Sequence, residues 1–323
     1  MARRKPPQVH GLLVIDKPAG MTSHDVVDRV RKRLGERRVG HAGTLDPDAT
    51  GVLLVGVGNA TRLMRFMDLV EMDGRMISRK SYTGTVVLGI ETSTLDAAGE
   101  VTATHDMTSV FDRLAKPDGV EFVQSIVDAN LLGAIMQIPP MVSAIRVDGK
   151  RLHELAREGV EVEREPRPVT VFSFAVTGVA GDTIDIDVTC SSGTFIRTLA
   201  ADLGRLLGGG AHLRSLRRTS VGAFTIHEAA GIDDAPLRPT EDAVRGLAAL
   251  RVAGERAVEL RAGAATGKIL PVSTFASCGP EPWALFTEDG SADGRLVAVY
   301  ESFSNERVGS GMARPAVSLA SAT

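Results

Sequence analysis

The apolar stretches of this chain are short, and this limits what it can fold into. The longest of them, such as Val52–Val57, contain six residues, whereas a helix that crosses a bilayer needs about 20 apolar residues. We therefore expect a globular protein without a membrane partner. Its 323 residues, 43% of them hydrophobic and 24% charged, are typical of a folded chain long enough for about two domains.

Cysteine use and the N-terminus both favour the cytoplasm. Cys190 and Cys278 are the only cysteines, so the sequence lacks the disulfide framework that small secreted domains use. The basic residues at positions 3–5 resemble the start of a signal peptide, but the apolar stretch 11–15 is too short for its hydrophobic region. We predict a cytoplasmic protein.

The charges are unevenly distributed along the chain. The net charge is −3, but residues 1–40 have ten Lys and Arg against four Asp and Glu, and residues 197–218 have five Arg against one Asp. The remaining residues therefore have a net charge of −13. The basic segments are either solvated helix faces or a groove for phosphates, and the second alternative indicates a nucleic-acid partner.

Hydrophobic periodicity predicts an α+β fold. Strand patterns are interleaved with helical patterns, and neighbouring strands are close enough in sequence to form antiparallel pairs. We therefore expect a mixed, largely antiparallel sheet with flanking helices. The predicted strands are 11–16, 52–57, 82–90, 141–147, 169–179 and 183–190, and the predicted helices are 23–34, 60–69, 152–158 and 195–207.

The distribution of these elements predicts two folded units. Residues 9–230 form the larger one, in which 99–135 is an irregular insertion that we expect to be helical. The acidic, proline-containing stretch 226–241 is typical of a linker. Residues 245–308 are expected to form a small β module, and the Gly-, Ala- and Ser-rich end 309–323 to be disordered. The strands of the module are expected at 258–260, 284–286 and 296–300.

Three familiar cofactor patterns are incomplete in this sequence. The histidines and cysteines do not cluster at metal-ligand spacing. Residues 263–269 resemble a phosphate-binding loop, but a spacer is missing and Ile269 replaces the Ser or Thr that holds magnesium. Gly56-Val57-Gly58 resembles a dinucleotide-binding turn, but Thr61 replaces its third glycine. We expect neither a metal nor another cofactor.

The segment from Gly40 to Gly51, GHAGTLDPDATG, places turn residues directly before an apolar strand. Asp-Pro and Gly are common in surface turns, which is the simpler interpretation. Here, however, two glycines allow close approach of a partner, and the following strand anchors the loop. A carboxylate held in this way, Asp46, could act as a nucleophile or as a general base.

Six motifs, in the same order along the chain, resemble those of the TruB-type tRNA pseudouridine synthases. They cover about residues 10–225, and together they are far more specific than Asp46 alone. Residues 245–308 resemble, more weakly, the small RNA-binding PUA-like domain of that family. The six motifs are LVIDKPAG (13–20), GHAGTLDPDATGVL (40–53), KSY (80–82), QIPPMVSA (137–144), CSSGTFIRT (190–198) and GGAHLRSLRR (209–218).

The resemblance implies a fold with a central catalytic cleft, no metal, and conversion of uridine 55 in the tRNA T-loop to pseudouridine. In this reaction the N1–C1′ bond breaks, the uracil turns, and the base is rejoined through C5. By resemblance Asp46 is the nucleophile, and it adds either to C6 of the base or to C1′ of the ribose. Arg197 is expected to pair with Asp46 and to keep it ionised.

The same resemblance assigns the walls of the site. Tyr82 is expected to lie against the target base and to take part in proton transfer, although by itself it would be an ordinary strand residue. Phe195 and Leu216 are expected to wall the uracil pocket. A tyrosine is frequent at the position of Phe195, so its hydroxyl is absent here. His41 is expected to insert into the T-loop and to help replace flipped-out bases.

Two further residues and the partner follow from the resemblance. Asp96 matches an acid near the active site, although it could equally be a turn residue, and Lys17 is expected to bind the substrate. Val142 stands where a tyrosine is frequent, which affects local packing. The expected partner is the T-arm of tRNA, whose target base must be extruded at a cost of a few kcal/mol. The basic segments would hold its phosphates. We expect a monomer that needs no protein partner.

Three other functions remain as alternatives. A non-catalytic RNA-binding or RNA-folding protein could keep this scaffold, but it would not require Asp46, Tyr82 and Arg197 together. A relative guided by a separate RNA would usually have long basic tails and a larger C-terminal module, whereas Arg314 is the only charged residue after Arg307. A nicotinamide-dependent enzyme that uses residues 56–58 is the most distant alternative.

Overall fold

The computed structural model of the protein describes residues 6–143, 145–147, 149–160, 162–288, 294–305 and 309–320. A nine-stranded sheet with packed helices is followed by a five-stranded sheet built from the C-terminal residues. The predicted α+β fold with a mixed, largely antiparallel sheet is confirmed. Within these ranges no helix is long and apolar enough to cross a membrane.

The helices and strands have the following bounds. The helices are α1 (Ser23–Leu34), α2 (Thr108–Leu114), α3 (Gly119–Asn130), α4 (Leu152–Arg157), α5 (Ile196–Leu206) and α6 (Gly254–Thr266). The strands before residue 230 are β1 (Gly11–Lys17), β2 (Val39–Ala42), β3 (Thr50–Val57), β4 (Leu69–Met72), β5 (Arg75–Ser78), β6 (Lys80–Leu88), β7 (Ile90–Thr92), β8 (Val101–Thr104), β9 (Gly133–Gln137), β10 (Arg146–Val147), β11 (Lys150–Arg151), β12 (Arg167–Ala180), β13 (Thr183–Cys190), β14 (Ala211–Val221) and β15 (Phe224–Thr225). The C-terminal strands are β16 (Ala248–Val252), β17 (Leu270–Pro271), β18 (Trp283–Thr287), β19 (Arg295–Asn305) and β20 (Gly309–Ser318).

The order of strands brings distant parts of the chain together at the centre of the large sheet. That order is β1-β3-β14-β6-β13-β12-β9, with β2 paired to β3 and β15 to β14. Strands β3 and β14 run parallel, and Arg217 and Arg218 face Thr50 and Gly51 in this pair. The loop that contains Asp46 therefore ends beside β14.

Strands β1 and β3 are buried on both faces, which explains why their sequences do not alternate. One face, which includes Leu13 and Leu53, packs against α1. The other face, which includes Leu12 and Leu54, packs in the same apolar cluster as Phe286 of the C-terminal sheet. The two units therefore share a continuous core.

Helix α1 has the bounds predicted from the sequence, residues 23–34, and the residue directly before it provides the cap. Thr22, rather than Ser23, caps the helix, because its hydroxyl accepts from the backbone N–H of Asp25 and the Asp25 carboxylate accepts from the backbone N–H of Thr22. The predicted end is confirmed, since Gly35 adopts a left-handed conformation with φ 63°.

The helix predicted at 60–69 is wrong. Two short 3₁₀ helices, Gly58–Arg62 and Met64–Phe66, occupy this segment, and β4 begins at Leu69. Ala60, Leu63 and Phe66 are all buried at intervals of three residues, which is the period of a 3₁₀ helix and not of an α-helix.

The insertion predicted at 99–135 is helical only in its middle. Strand β8 precedes α2 and α3, and β9 follows them to form the edge of the large sheet. Val123 and Val127 of α3 pack in the same cluster as Phe174 of β12. The side chain of Gln124 also accepts from the N–H of Val176 at 2.8 Å, beside a register shift of β12.

The strand predicted at 141–147 is largely absent from the described part of the chain. Only Arg146 and Val147 are extended there, and they pair with Lys150 and Arg151. Residues 144 and 148 lie outside the described residues.

The linker predicted at 226–241 is instead docked along β1. The backbones of Leu12 and Arg238 exchange two hydrogen bonds of 3.0 and 2.8 Å, and Asp16 donates to the carbonyl of Ala230 at 2.9 Å. The Glu228 carboxylate also binds Arg238 and Arg245. The acidic residues that suggested a solvated linker therefore hold the segment in place.

Two predictions for the C-terminal module are wrong. Residues 258–260 lie in α6, because Ala257, Leu260 and Ala264 are buried at helical spacing. The tail predicted to be disordered from 309 forms β20, which pairs with β19 and buries Ala313 and Val317. The last residues of that predicted tail, 321–323, and the basic N-terminal residues 3–5 lie outside the described residues. The strands predicted at 284–286 and 296–300 are confirmed.

We expect Gly51 to be essential for stability. Its φ is 102°, and a Cβ placed there would lie 2.2 Å from the carbonyl oxygen of Arg218 in the parallel pair. Gly51→Ala should lower the free energy of unfolding, measured by urea denaturation, by more than about 3 kcal/mol, because strain and steric overlap add.

Gly181→Ala is the matched control. Gly181 has a φ of 61° but open space around its Cβ position, so this substitution should cost only about 1–2 kcal/mol of strain. Equal losses for the two variants would contradict the close packing of β3 against β14.

Candidate active site

A cavity of about 360 Å³ opens between the loop before β3, the start of β6, the N-terminus of α5 and β14. Five of the residues singled out from the sequence line it together: Asp46, Tyr82, Phe195, Arg197 and Leu216. These residues are up to 170 positions apart in the chain, and the strand order of the large sheet brings them to one place. The volume is within the range of small-molecule sites, about 300–1,000 Å³.

Asp46 is held by Arg197 through two contacts. The Arg197 Nε lies 3.0 Å from Asp46 Oδ2, and Nη2 donates to Oδ1 at 3.2 Å. The Arg197 side chain is only 5% exposed, whereas that of Asp46 is 41% exposed. The buried guanidinium is therefore held in place, and the carboxylate that it binds is still accessible from the cavity.

The other donors of Arg197 are also occupied. Nη1 donates to the carbonyl of Thr94 at 2.9 Å and lies 3.3 Å from Asp96 Oδ2, while Nη2 donates to the carbonyl of Val142 at 2.8 Å. Asp96 is itself bound by the hydroxyl of Thr94. Arg197 thus lies between two carboxylates, which fixes its orientation.

Burial raises the pKa of the Asp46 carboxyl above its usual value, because desolvation disfavours the charged form. The positive charge of Arg197 opposes this effect, while the negative charge of Asp96 adds to it. Asp46 therefore ionises less readily than an exposed aspartate, and its ionised form depends on Arg197.

Lys17 fixes the loop that carries Asp46. Its ammonium is buried and donates to the carbonyls of Pro18, Met21 and Pro47 at 2.8, 2.6 and 2.8 Å. Burial lowers the pKa of Lys17 to about 8. Lys17 therefore lies behind the loop, where it binds the residue next to Asp46, and it is not part of the cavity lining.

Ser23 and Arg218 hold the same loop from two other sides. The Ser23 hydroxyl accepts from the N–H of Leu45 at 2.9 Å and donates to its carbonyl at 3.1 Å. Arg218 donates to the carbonyl of Val52 at 2.7 Å and to that of Gly43 at 3.1 Å. The expectation of a rigidly anchored loop is thus met by side chains as well as by the strand behind it.

Tyr82 projects from β6 and is almost fully buried. Burial raises the pKa of its hydroxyl, and the adjacent Arg218 opposes this shift. Phe195 forms another wall, and its backbone is fixed by Gln137, whose side chain accepts from the N–H of Phe195 at 3.0 Å and donates to its carbonyl at 3.3 Å. Leu216 lies on β14 and completes the apolar part of the lining.

His41 lies on β2, outside the residues that line the cavity. Burial lowers the pKa of its imidazole, and the charge of Arg218 acts in the same direction. Among the described residues no hydrogen-bond partner is found for its buried Nδ1. The imidazole is therefore protonated less readily than that of an exposed histidine, and the residue as a whole remains partly exposed beside the loop.

Two residues of the site were not identified from the sequence. Arg218 belongs to a motif whose arginines were expected to hold phosphates, but it is only 1% exposed and binds the loop instead. Arg197 of the same basic segment is buried as well. Lys80 lines the cavity, and its place two residues before Tyr82 in the KSY motif was a signal that could have indicated this.

No group of three or more His, Cys, Asp or Glu side chains that could hold a metal ion is found among the described residues. The ionisable side chains that line the cavity are one carboxylate, one phenol and three basic groups, and three hydroxyl side chains line it as well. This arrangement suits nucleophilic and acid–base chemistry on an organic substrate.

Two family descriptions match consecutive parts of this chain. Residues 31–196 match the family described as "TruB family pseudouridylate synthase (N terminal domain)", and residues 197–244 match "tRNA pseudouridylate synthase B C-terminal domain". The chain is 44% identical over 300 residues to tRNA pseudouridine synthase B of Thermobifida fusca, which covers 90% of this chain and 94% of the relative. It is 50% identical over 234 residues to the protein of that name from Rhodococcus jostii, with 71% of each chain covered.

Solved structures share the fold at lower sequence identity. The archaeal box H/ACA sRNP Nop10-Cbf5 complex contains a chain that matches with a TM-score of 0.62 and 21% identity, over 95% of this chain and 85% of the other. A chain of a Cbf5-Nop10-Gar1 complex matches with a TM-score of 0.61 and 24% identity, over 94% and 83%. These likenesses concern the fold alone.

The pKa of Asp46 should respond in opposite directions to its two charged neighbours. In protein labelled with ¹³C at the aspartate carboxyl carbons, we expect the Asp46 resonance to titrate above the usual range of aspartates. Arg197→Met should raise this pKa further, and Asp96→Asn should lower it, because the first removes an opposite charge and the second a like charge.

Asp112→Asn removes an exposed carboxylate from α2 and provides the control. It should leave the Asp46 titration unchanged. A lower Asp46 pKa in Arg197→Met would contradict the described ion pair.

Proposed function

Because this chain belongs to the TruB family of tRNA pseudouridine synthases, we propose that it converts uridine 55 in the T-loop of tRNA to pseudouridine, with Asp46 as the nucleophile. The chain is an isomerase that forms pseudouridine in tRNA. The choice of uridine 55 and the role of Asp46 are the new parts of this proposal.

One observation carries the assignment of Asp46. Its carboxylate lies on a buried guanidinium and borders a cavity of about 360 Å³, large enough for a nucleobase. A nucleophile gains from being ionised, partly desolvated and fixed in direction. Burial desolvates Asp46, while Arg197 favours its ionised form and fixes its direction. Asp48 is exposed and has no comparable partner among the described ion pairs.

The reaction begins when a flipped-out uridine enters the cavity. Asp46 attacks either C6 of the uracil or C1′ of the ribose, and the N1–C1′ bond breaks with its electron pair on the base. The uracil then turns and C5 bonds to C1′. The bond between Asp46 and C6 or C1′ breaks and returns the free carboxylate, the proton on C5 is lost, and N1 takes up a proton. Tyr82 lies against the base and is positioned for proton transfer. Phe195 and Leu216 form the apolar walls that hold the base in the cavity.

Binding of the T-arm is assigned to the surface around the cavity. His41 contacts the T-loop and replaces bases that leave the stack, consistent with its partial exposure beside the loop. Asp96 acts through Arg197, and Lys17 acts through the loop, so both are positioning residues. Exposed basic residues of the N-terminal segment, such as Lys32 and Arg38, hold phosphates of the stem.

A non-catalytic RNA-binding protein on this scaffold is the second candidate. The paired Asp46 and Arg197 beside a phenol disfavour it, because binding RNA phosphates does not call for a carboxylate in the cavity. The expectations of a cytoplasmic monomer without cofactor, membrane or protein partner stay predictions. The structural relatives named above are chains of a Cbf5-Nop10-Gar1 complex and of an archaeal box H/ACA sRNP Nop10-Cbf5 complex. A need for protein partners is therefore the alternative to a monomer that acts alone.

We also propose that the C-terminal module, residues 245–308 extended by β20, is an accessory RNA-binding surface outside the catalytic cleft. Its five-stranded sheet with one helix is consistent with the PUA-like likeness. Truncation cannot test this role cleanly, because Phe286, Leu296 and Val317 share a buried cluster with Leu12 and Leu54. Point substitutions on its surface are therefore required.

The exposed arginines of α6 provide such substitutions. Arg256→Gln combined with Arg261→Gln should weaken binding of full-length tRNA several-fold and reduce its salt dependence, because fewer phosphate contacts are made. The rate on a short T-arm hairpin should not change. Glu259→Gln on the same helix is the control and should not weaken binding. Loss of turnover on the hairpin would instead place the module in the active site.

Asp46→Asn tests the proposed function itself. The substitution keeps the shape of the side chain but removes the nucleophilic oxyanion, so release of label from C5 of [5-³H]uridine in tRNA should fall below about one thousandth of the wild-type rate, a barrier increase of at least ~4 kcal/mol. RNA affinity should be kept or increased, since a negative charge leaves the cavity.

Asp48→Asn is the matched control, because it removes the neighbouring exposed carboxylate from the same loop. It should retain substantial activity. Near-normal label release by Asp46→Asn, or equal losses in the two variants, would exclude Asp46 as the nucleophile. Mapping of pseudouridine in the wild-type product decides whether position 55 is the target.

A further inference from the structure

A second charged cluster reaches the cavity from the side of β6. The Lys80 ammonium donates to the hydroxyl of Ser192 at 2.6 Å and lies 3.5 Å from Asp68 Oδ2. The Asp68 carboxylate also accepts from the hydroxyls of Ser192 and, at 2.8 Å, of Ser78. Ser192, Asp68 and Ser78 therefore hold the ammonium in one position at the base of the β4–β5 hairpin.

Lys80 faces the same space as the nucleophile. It lines the cavity with Asp46 and Tyr82, and it lies two residues before Tyr82 on β6, so both side chains project from the same face of the sheet. A Cβ at Gly43 would lie 3.2 Å from Lys80 Nζ. The ammonium is therefore adjacent to the loop that carries Asp46.

Burial of the Lys80 ammonium costs desolvation free energy. The Lys80 side chain is 12% exposed, and burial lowers its pKa against the opposing effect of Asp68. Packing alone would be served better by an apolar side chain of similar length. The neighbouring Arg218 donates to the carbonyls of Val52, Thr44 and Gly43. In the described part of the chain, Ser192 and Asp68 account for two of the three Lys80 N–H groups.

The reaction creates a charge that such a cation can bind. When the N1–C1′ bond breaks, its electron pair stays on the uracil, and the negative charge spreads over N1, O2 and O4. If Asp46 instead adds first to C6, electrons move through C5 onto O4. Both routes therefore place negative charge on uracil oxygens inside the cavity. In comparable enzyme sites, one fixed hydrogen-bond donor to such a charge is worth about 10²–10³ in rate.

We propose that Lys80 is a further catalytic residue, whose ammonium, oriented by Asp68 and Ser192, stabilises the negative charge that develops on the oxygens of the uracil ring. The inference rests on the proposed function, since it requires a uridine in this cavity. It leaves open which atom Asp46 attacks. A contact of Lys80 with a phosphate of the target nucleotide and a purely structural role in tethering the hairpin are the outcomes that the experiment must separate.

The first measurement is the single-turnover rate of Lys80→Met on a T-arm hairpin at saturating enzyme. Methionine keeps the length of the side chain and removes its charge. We expect the rate to fall about 100-fold, equivalent to ~2.7 kcal/mol, with RNA affinity within about threefold of the wild type. A loss that appears only in affinity would indicate a phosphate contact and overturn the proposal.

The second measurement uses the same hairpin with 5-fluorouridine at the target position, followed as disappearance of 5-fluorouridine from nuclease digests. Fluorine stabilises the uracil anion by induction, so this base needs the ammonium less. The rate ratio of wild type to Lys80→Met should therefore fall from about 100 with uridine to less than about 10 with 5-fluorouridine. A structural role or a phosphate contact predicts the same ratio for both bases.

The ratio of the rates with uridine and 5-fluorouridine, measured on one preparation, does not depend on the folded fraction. Partial unfolding of Lys80→Met therefore leaves the test valid. Ser192→Ala, which releases the ammonium but keeps its charge, should show the same trend with a smaller loss. Lys116→Met removes an exposed lysine between α2 and α3 and is the control. A wild type without activity would refute the proposed function, whereas an active wild type with equal ratios refutes only the role of Lys80.

Discussion

The buried guanidinium of Arg197 is the interaction on which the rest of the site depends. A cation that is 5% exposed is tolerated only when its donors are satisfied, and here Asp46, Asp96 and the carbonyls of Thr94 and Val142 satisfy them. These partners come from three separate segments of the chain, around residues 46, 94–96 and 142. Removal of Arg197 would therefore leave two carboxylates facing each other without a countercharge.

The loop that carries Asp46 is fixed from behind by a different set of contacts. Lys17, Ser23 and Arg218 bind its backbone carbonyls and amide from β1, α1 and β14. The loop therefore needs no regular secondary structure to be rigid. A displacement of 1 Å in a reacting group can cost about 10² in rate, so these buried polar residues affect the chemistry. Arg218 lines the cavity together with Asp46, whereas Lys17 and Ser23 do not.

The C-terminal module is part of the same folded body. Strands β1 and β3 pack on α1 through one face and contribute to a cluster with the C-terminal sheet through the other. The docked segment 226–241 runs along β1 between them. The loop that carries Asp46 directly precedes β3, a strand that both units bury, so the stability of the module affects the geometry around Asp46.

The sequence by itself determined the elements whose signals are local. The alternation of Ile184, Ile186 and Val188 predicted the β12–β13 hairpin, and Gly35 predicted the end of α1, because side-chain period and backbone conformation depend on neighbouring residues. The motif around Asp46 identified the loop for the same reason. The TruB-type resemblance then supplied Tyr82, Arg197, Phe195 and Leu216, which composition could not have done.

Only the tertiary structure decided what depends on distant partners. Strand β20 has few strand-forming residues and owes its conformation to pairing with β19, and the acidic segment 226–241 owes its order to β1. Arg218 looks like a phosphate ligand in the sequence, but the parallel contact of β14 with β3 buries it against the loop. Whether a charged residue faces water, a carbonyl or the cavity is set by the strand order, and that order is not encoded in any local pattern.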